Sequence, residues 1–249
     1  MSDVVASPPR DAALAAEMSA RIEAVRARVA AACARVGRQS ASVTIVGVTK
    51  QQPPEVVRAL ADAGVADIGE NRVQELLGKM GQVHGVRWHL VGQLQRNKAR
   101  AVVGRAVLIH AVDRRALVDE IAKRAAQANV VQRILIQVDL GGGAGRGGCP
   151  PDDVLDLIAH ARRAPQVTIE GLMCVAPLPA GGGDPGEAAR PAFAHLRALR
   201  DAARARWPEV AHLSMGMSDE YEVAVEEGAT MLRLGTVLLG PRAEARREP

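Results

Sequence analysis

Eight short runs rich in Val, Ile and Leu recur along the chain, and most are followed by a segment whose apolar positions fall at helical spacing. The runs are Val43–Thr49, Ala66–Gly69, Val86–Gly92, Val107–Val112, Arg133–Leu140, Val167–Val175, His212–Gly216 and Met231–Gly235. Asp11–Val36 precedes them as one long helix, apolar at Leu14, Met18, Ile22, Val25, Val29 and Ala32, and ended by Gly37. Helix punctuation fits the intervals. Pro53-Pro54 opens a helix closed by Gly64, Asn71 opens one reaching Met80, and Asp113 is positioned to cap one through Ala128. Asp152 starts the next, Pro191 sits near the start of another, and Ser218 caps one ended by Gly228. Eight βα units in 249 residues predict an α/β fold, a single (β/α)8 TIM-type barrel over residues 1–249 with an additional N-terminal helix. A doubly wound open sheet is the competing architecture. Residues 1–10 are expected to be disordered, and the Gly/Pro-rich segments 141–151 and 176–186 read as loops after strands five and six.

Composition narrows the function classes. Two Trp, one Tyr and one Phe leave a core of Val, Leu, Ile and Ala, and too few rings for a base-stacking surface. The net charge is +4, but the arginines lie among acids on nearly every helix, so the reading is a solvated surface and no nucleic-acid partner. Cys33, Cys149 and Cys174 are scattered without CxxC spacing, which argues against a zinc site or disulfide framework and fits a reducing cytoplasm. The histidines show no metal spacing. Met1–Ala20 has no apolar core resembling a signal peptide, and no stretch is long and apolar enough to span a membrane.

In a barrel, chemistry gathers at the C-terminal strand ends. Lys50 closes the first run and is one of four lysines among 32 basic residues. A lysine whose stem is held in an apolar strand end loses some preference for the ammonium form, which favours Schiff-base chemistry. The alternative is a strand-end lysine that snorkels to water. Further on, Leu213 to Ser218 runs from a strand towards a helix N-terminus, where unpaired N–H groups, Gly216 and the Ser218 hydroxyl suit a phosphate. Arg233-Leu234-Gly235-Thr236 adds a glycine, a hydroxyl and a fixed cation after the eighth strand. Either segment alone is also what a capping serine or a strand glycine would give. Together, and opposite Lys50, they specify a small phosphorylated aldehyde.

Four segments carry a closer likeness: Gly69 to Glu75 (GENRVQE), Trp88 to Lys98 (WHLVGQLQRNK), Ser214 to Asp219 (SMGMSD) and Arg233 to Thr236 (RLGT). With these the chain resembles the YggS/PROSC family of pyridoxal phosphate homeostasis proteins over about residues 20–242. The resemblance implies an alanine-racemase-like barrel binding pyridoxal 5′-phosphate as an aldimine on Lys50. It implies that Arg233 faces the pyridine nitrogen, that Ser218, Gly235 and Thr236 hold the phosphate, and that Asn71 and Met217 line the ring. Ser214 belongs to the same cofactor-binding set. Two departures stand out: Arg146-Gly147 in the glycine-rich stretch Gly141–Gly148, where relatives tend to have a lysine, and Cys174-Val175 before Pro177. Gly141–Gly148 is not a Walker loop, because no Gly-Lys-Ser/Thr follows.

The residues argue against catalysis. Arg233 accepts no proton at neutral pH, so the ring is a weak electron sink, and a racemase needs a second acid/base. Tyr221 lies inside a helix and reads as packing, and His89 reads as a satisfied core histidine. The expectation is a monomeric cytoplasmic carrier of the cofactor, without catalytic residues or metal, making transient contact with pyridoxal-phosphate-dependent apo-enzymes. A weak racemase-like enzyme and a Schiff-base aldolase remain the alternatives.

Overall fold

The computed structural model describes residues 10–141, 147–177 and 179–240. Eight parallel strands close into one barrel in the order β1 to β8. They are β1 (Thr44–Val48), β2 (Asp67–Glu70), β3 (Arg87–Leu90), β4 (Leu108–Val112), β5 (Gln132–Val138), β6 (Val167–Cys174), β7 (His212–Ser214) and β8 (Met231–Leu234). β1 pairs with β8 over Thr44↔Met231 to Gly47↔Leu234. That pairing closes the ring and sets the open-sheet alternative aside. All eight predicted strands form, most of them shorter than predicted, because the runs continue into rim loops. Residues 1–9 and Arg146, for which disorder and a departure from the family pattern were read, lie outside the described residues.

The helices are α1 (Arg10–Arg35), α2 (Pro54–Asp62), α3 (Val73–Met80), α4 (Ala99–Val102), α5 (Arg115–Ala128), α6 (Val154–Arg163), α7 (Pro185–Arg206), α8 (Tyr221–Glu226) and α9 (Thr236–Leu239). Met18, Ile22, Val25, Val29 and Ala32 of α1 are buried at three- and four-residue spacing, and each larger side chain contributes roughly 1.5–3 kcal/mol by burial. Several predicted caps are displaced. The residue before α3 is Arg72, not Asn71, and the residue before α5 is Arg114, not Asp113. α7 begins at Pro185, where Asp184 accepts from the N–H of Glu187 at 3.0 Å, so Pro191 lies inside the helix. Ser218 does not cap α8, which starts at Tyr221 after Glu220.

Most of the core is a shell between the helices and the outer face of the barrel, centred on residues such as Leu60, Ile68, Ile109, Ile121, Ile158 and Leu232. Inside the barrel the apolar side chains form two small groups. Val46, Val48 and Val91 make one; Leu108, Ala111, Leu135, Met173 and Met231 make the other. Buried polar side chains share that interior, including Asp67, His89, His110, Ser214 and Arg233. Among the described residues no helix is long and apolar enough to cross a membrane.

Candidate functional site

A cleft of about 260 Å³ opens at the C-terminal rim, lined by Lys50, Asn71, Met217, Ser218, Arg233, Gly235 and Thr236, with Val48, Gln52, Val91, Met173, Val175, Asp219, Leu239 and Gly240. Seven of the eight residues predicted to bind the cofactor therefore meet in one cavity. The exception is Ser214, which is fully buried and outside the lining. Its strand ends below the rim, and its side chain is spent on Arg233.

Lys50 stands two residues beyond the end of β1, and its side chain is exposed. The predicted apolar burial of its stem does not occur, because β1 ends at Val48 and the chain turns outward. The backbone around Lys50 is held from behind instead. Thr49 is fully buried and donates its hydroxyl to Glu70 Oε1 at 2.6 Å. Lys79 Nζ, reaching in from α3, donates to the same Glu70 oxygen and to the Thr49 carbonyl, both at 2.6 Å. On the other side Gln51, at a left-handed φ of 61°, donates its N–H to Glu75 Oε2 at 2.8 Å. Burial pushes the Glu70 carboxyl above its ordinary range, against the downward pull of Lys79 and Thr49. Glu70 Oε2 has no hydrogen-bond partner among the described residues.

The phosphate end differs from the expectation in which helix supplies it. α8 begins three residues beyond Ser218, and neither its first residue nor Gly216 lines the cleft. Gly216 serves packing: at φ 92° an added Cβ would sit 2.5 Å from Ala224 Cβ. The N-terminus that reaches the cleft belongs to α9, whose first residue is Thr236. Ser218 Oγ accepts the Val237 N–H at 3.2 Å, which ties the β7 loop to α9 and leaves the serine proton to donate. The β7 loop is braced by Glu220, whose Oε1 accepts the Met217 N–H at 3.3 Å. Ser218 and the hydroxyl and N–H of Thr236 then offer the donors a phosphate needs, the Val237 N–H being held by Ser218 and those of Leu238 and Leu239 by the Gly235 carbonyl. On the opposite wall, Gly92 lets the backbone of Asn71 approach, since a Cβ there would meet the Asn71 carbonyl at 2.3 Å.

Arg233 is 5% exposed and forms the floor. Its Nη1 donates to the Ser214 carbonyl at 2.7 Å and to Ser214 Oγ at 2.9 Å, and Nη2 donates to the Cys174 carbonyl at 2.8 Å. Two of its five N–H groups, Nε–H and one on Nη2, have no partner among the described residues. Burial lowers its pKa from the usual arginine value, yet a guanidinium remains a donor only. Next to it the Cys174 thiol is pushed up to about 12 by burial and is not a nucleophile. The arrangement presents one amine, one set of anion donors and one buried cation to a small ligand. Sequence reasoning placed Glu70 in a motif at a strand end but missed its buried pairing with Lys79, which lies on a different element.

The alanine racemase N-terminal domain family matches residues 21–243. The pyridoxal phosphate homeostasis protein of Aquifex aeolicus is 42% identical over 225 residues, which cover 89% of this chain and 97% of the relative. The Escherichia coli protein of the same name is 31% identical over 226 residues, covering 88% and 94%. PipY of Synechococcus elongatus, solved with PLP bound, matches at a TM-score of 0.77 and 32% identity, over 90% of this chain and 100% of that one. Alanine racemase of Clostridium difficile shares the fold alone, at a TM-score of 0.67 and 14% identity, with 54% of its length covered. By these matches, and by the barrel beneath them, the chain belongs to the pyridoxal phosphate homeostasis family within the alanine racemase N-terminal domain barrels.

Proposed function

We propose that the protein binds pyridoxal 5′-phosphate at this cleft, holds it on Lys50 and hands it to apo-enzymes, without turning over a substrate of its own. The observation that carries this is the meeting of Lys50, the Ser218–Thr236 cup and Arg233 in one cavity. The group would supply an aldehyde for the lysine amine and a phosphate dianion for the cup. Ser218 and Thr236 orient it by donating to that dianion, while Met217, Val91 and Met173 give the ring an apolar enclosure that Asn71 borders with a polar amide. Arg233 can donate towards the ring nitrogen but never accept its proton, which keeps the ring a poor electron sink.

The residues that would make a racemase are poorly placed. Beyond Lys50 and Arg233, the ionisable side chain in the described lining is Asp219, exposed and adjacent in sequence to the phosphate cup. Tyr221 is 3% exposed and outside the lining. The exposed Lys50 suits exchange of a carried ligand with another protein. Borohydride reduction of the pyridoxal-phosphate-loaded chain followed by peptide mass spectrometry tests the binding: the label is expected on Lys50. A steady racemase or transaminase turnover abolished by Lys50→Ala would replace carriage with catalysis.

A further inference from the structure

The barrel interior holds an unbroken chain of buried polar side chains that ends on Arg233. Asp67 Oδ1 meets His89 Nε2 at 2.9 Å, and His89 Nδ1 meets His110 Nε2 at 2.9 Å. His110 Nδ1 meets Ser214 Oγ at 2.9 Å, and Arg233 Nη1 donates to that oxygen at 2.9 Å. The five side chains are between 0% and 6% exposed. They come from β2, β3, β4, β7 and β8 and share the barrel interior with the two small apolar groups. Barrels of this type ordinarily fill that space with branched apolar residues. Burying two imidazoles there is tolerable only if every donor and acceptor is satisfied.

The Asp67 end dictates the direction of the chain, and the Arg233 end agrees with it. Arg233 has no acceptor, so Ser214 Oγ accepts from it and keeps its own proton for His110 Nδ1. His110 then carries its proton on Nε2 and donates to His89 Nδ1. From the other end, the Arg87 fork grips Asp67, through Nε to Oδ1 at 2.7 Å and Nη2 to Oδ2 at 2.5 Å. Together with His89 it holds the Asp67 carboxyl down at about 2. A carboxylate accepts, so His89 carries its proton on Nε2, the same tautomer the other end requires. Burial, with the nearby charge of Arg233, keeps His110 neutral. Glu220 and Cys174 are the remaining ionisable neighbours of Arg233.

We propose that Asp67, His89, His110 and Ser214 form a one-directional hydrogen-bond relay that positions Arg233 and so fixes the protonation state of the cofactor's ring nitrogen. The inference rests on the cofactor reading above for its second half only. Fixed tautomers oblige Ser214 to turn a lone pair to Arg233, which anchors Nη1 and reserves the two unpartnered N–H groups for the cleft. His110 and Ser214 are positioning residues in this scheme and touch no ligand.

Two measurements decide it. In the cofactor-stripped full chain, nitrogen-15 spectra of the imidazoles are expected to show His89 and His110 both protonated on Nε2, with His110 neutral through mildly acidic pH; the Nδ1 tautomer at either residue overturns the relay whether or not the cofactor binds. In the chain loaded with ring-labelled pyridoxal phosphate, Ser214→Ala and His110→Leu are expected to move the ring nitrogen signal towards the protonated pyridinium. They should also shift the pH midpoint of the bound cofactor's absorbance by about one unit or more. His110→Gln, which restores a donor and an acceptor, should return both towards the parent values. Loaded Ser214→Ala with an unchanged ring signal overturns the proposal, and this variant decides the matter if His110→Leu does not fold. A parent chain that traps no cofactor on Lys50 overturns the cofactor reading instead, while the imidazole spectra still decide the relay.

Discussion

Removing Lys79 is the perturbation whose consequence follows most directly from the packing. Its side chain is 8% exposed and its partner Glu70 is 0% exposed, with 2.6 Å between them. Lys79→Ala leaves a carboxylate in the barrel wall whose Oε1 keeps only the Thr49 hydroxyl and whose Oε2 already lacks a partner. Breaking a buried pair from one side costs about 3–5 kcal/mol. For a chain of this size each kcal/mol is roughly 2–4 °C, so the melting temperature should fall by about 6–20 °C. The sign of the pH dependence follows from Glu70, whose carboxyl burial already pushes up. A carboxyl raised in the folded state favours the fold below its unfolded pKa and loses that contribution as pH rises through the folded pKa. The variant's deficit should accordingly widen from acidic to alkaline pH. Urea melts of Lys79→Ala and of Lys79→Met with Glu70→Gln, at several pH values, provide the measurement. The double variant buries no charge and should recover most of the loss. A single-variant deficit under about 1 kcal/mol that is flat with pH would refute the reasoning, since it would mean the pair is not truly desolvated. Cofactor retention should fall in Lys79→Ala as well, because the Thr49 carbonyl beside Lys50 loses its tether.

Further outcomes are expected. Lys50→Ala should lose the borohydride-stable label yet still bind pyridoxal phosphate reversibly in equilibrium dialysis, since the cup donors survive, at roughly 1.5–3 kcal/mol per charge-assisted bond. Ser218→Asp with Thr236→Asp should bind worse than Lys50→Ala, because like charge then faces the dianion; the reverse order would displace the cup. Below about pH 6.5 the unfolded His110 takes up a proton that the folded one refuses, so stability should fall by up to about 1.4 kcal/mol per pH unit, and His110→Leu should flatten that limb in urea melts. Asp67, held at about 2 against 3.8, supports the fold above its unfolded pKa, and about 2 kcal/mol of that should vanish between roughly pH 4 and pH 2. Gly216→Ala forces φ 92° on a side chain that also meets Ala224; a loss of about 1–3 kcal/mol is expected from calorimetry.

The eight strands were legible because each is a short, largely apolar run bounded by glycine or a polar rim residue, and the barrel because eight such units alternate with helices, although only the β1–β8 pairing separates it from an open sheet. α4 and α9 were not legible: four residues complete barely one helical turn and display no period. That is why the helix start reaching the cleft was expected after β7 rather than at α9. Ser214 was grouped with its neighbours Met217 and Ser218 by adjacency, whereas strand alternation turns it inward under Arg233. The same alternation hides His110, since inward-facing polar residues in a parallel barrel appear one at a time inside apolar runs, whereas His89 was read as a satisfied core histidine and is one, with both ring nitrogens partnered. Lys79 and Glu70 are nine positions apart on separate elements, and only the fold of α3 against β2 brings them together.

Lys50 follows the first strand of the barrel, while Ser218, Arg233, Gly235 and Thr236 follow or belong to the last two. A nascent chain displays its lysine on the ribosome long before the far rim exists. On the proposed reading, capture of the aldehyde on Lys50 in a defined pose must wait until the final strand seats between its neighbours, so that loading would report ring closure.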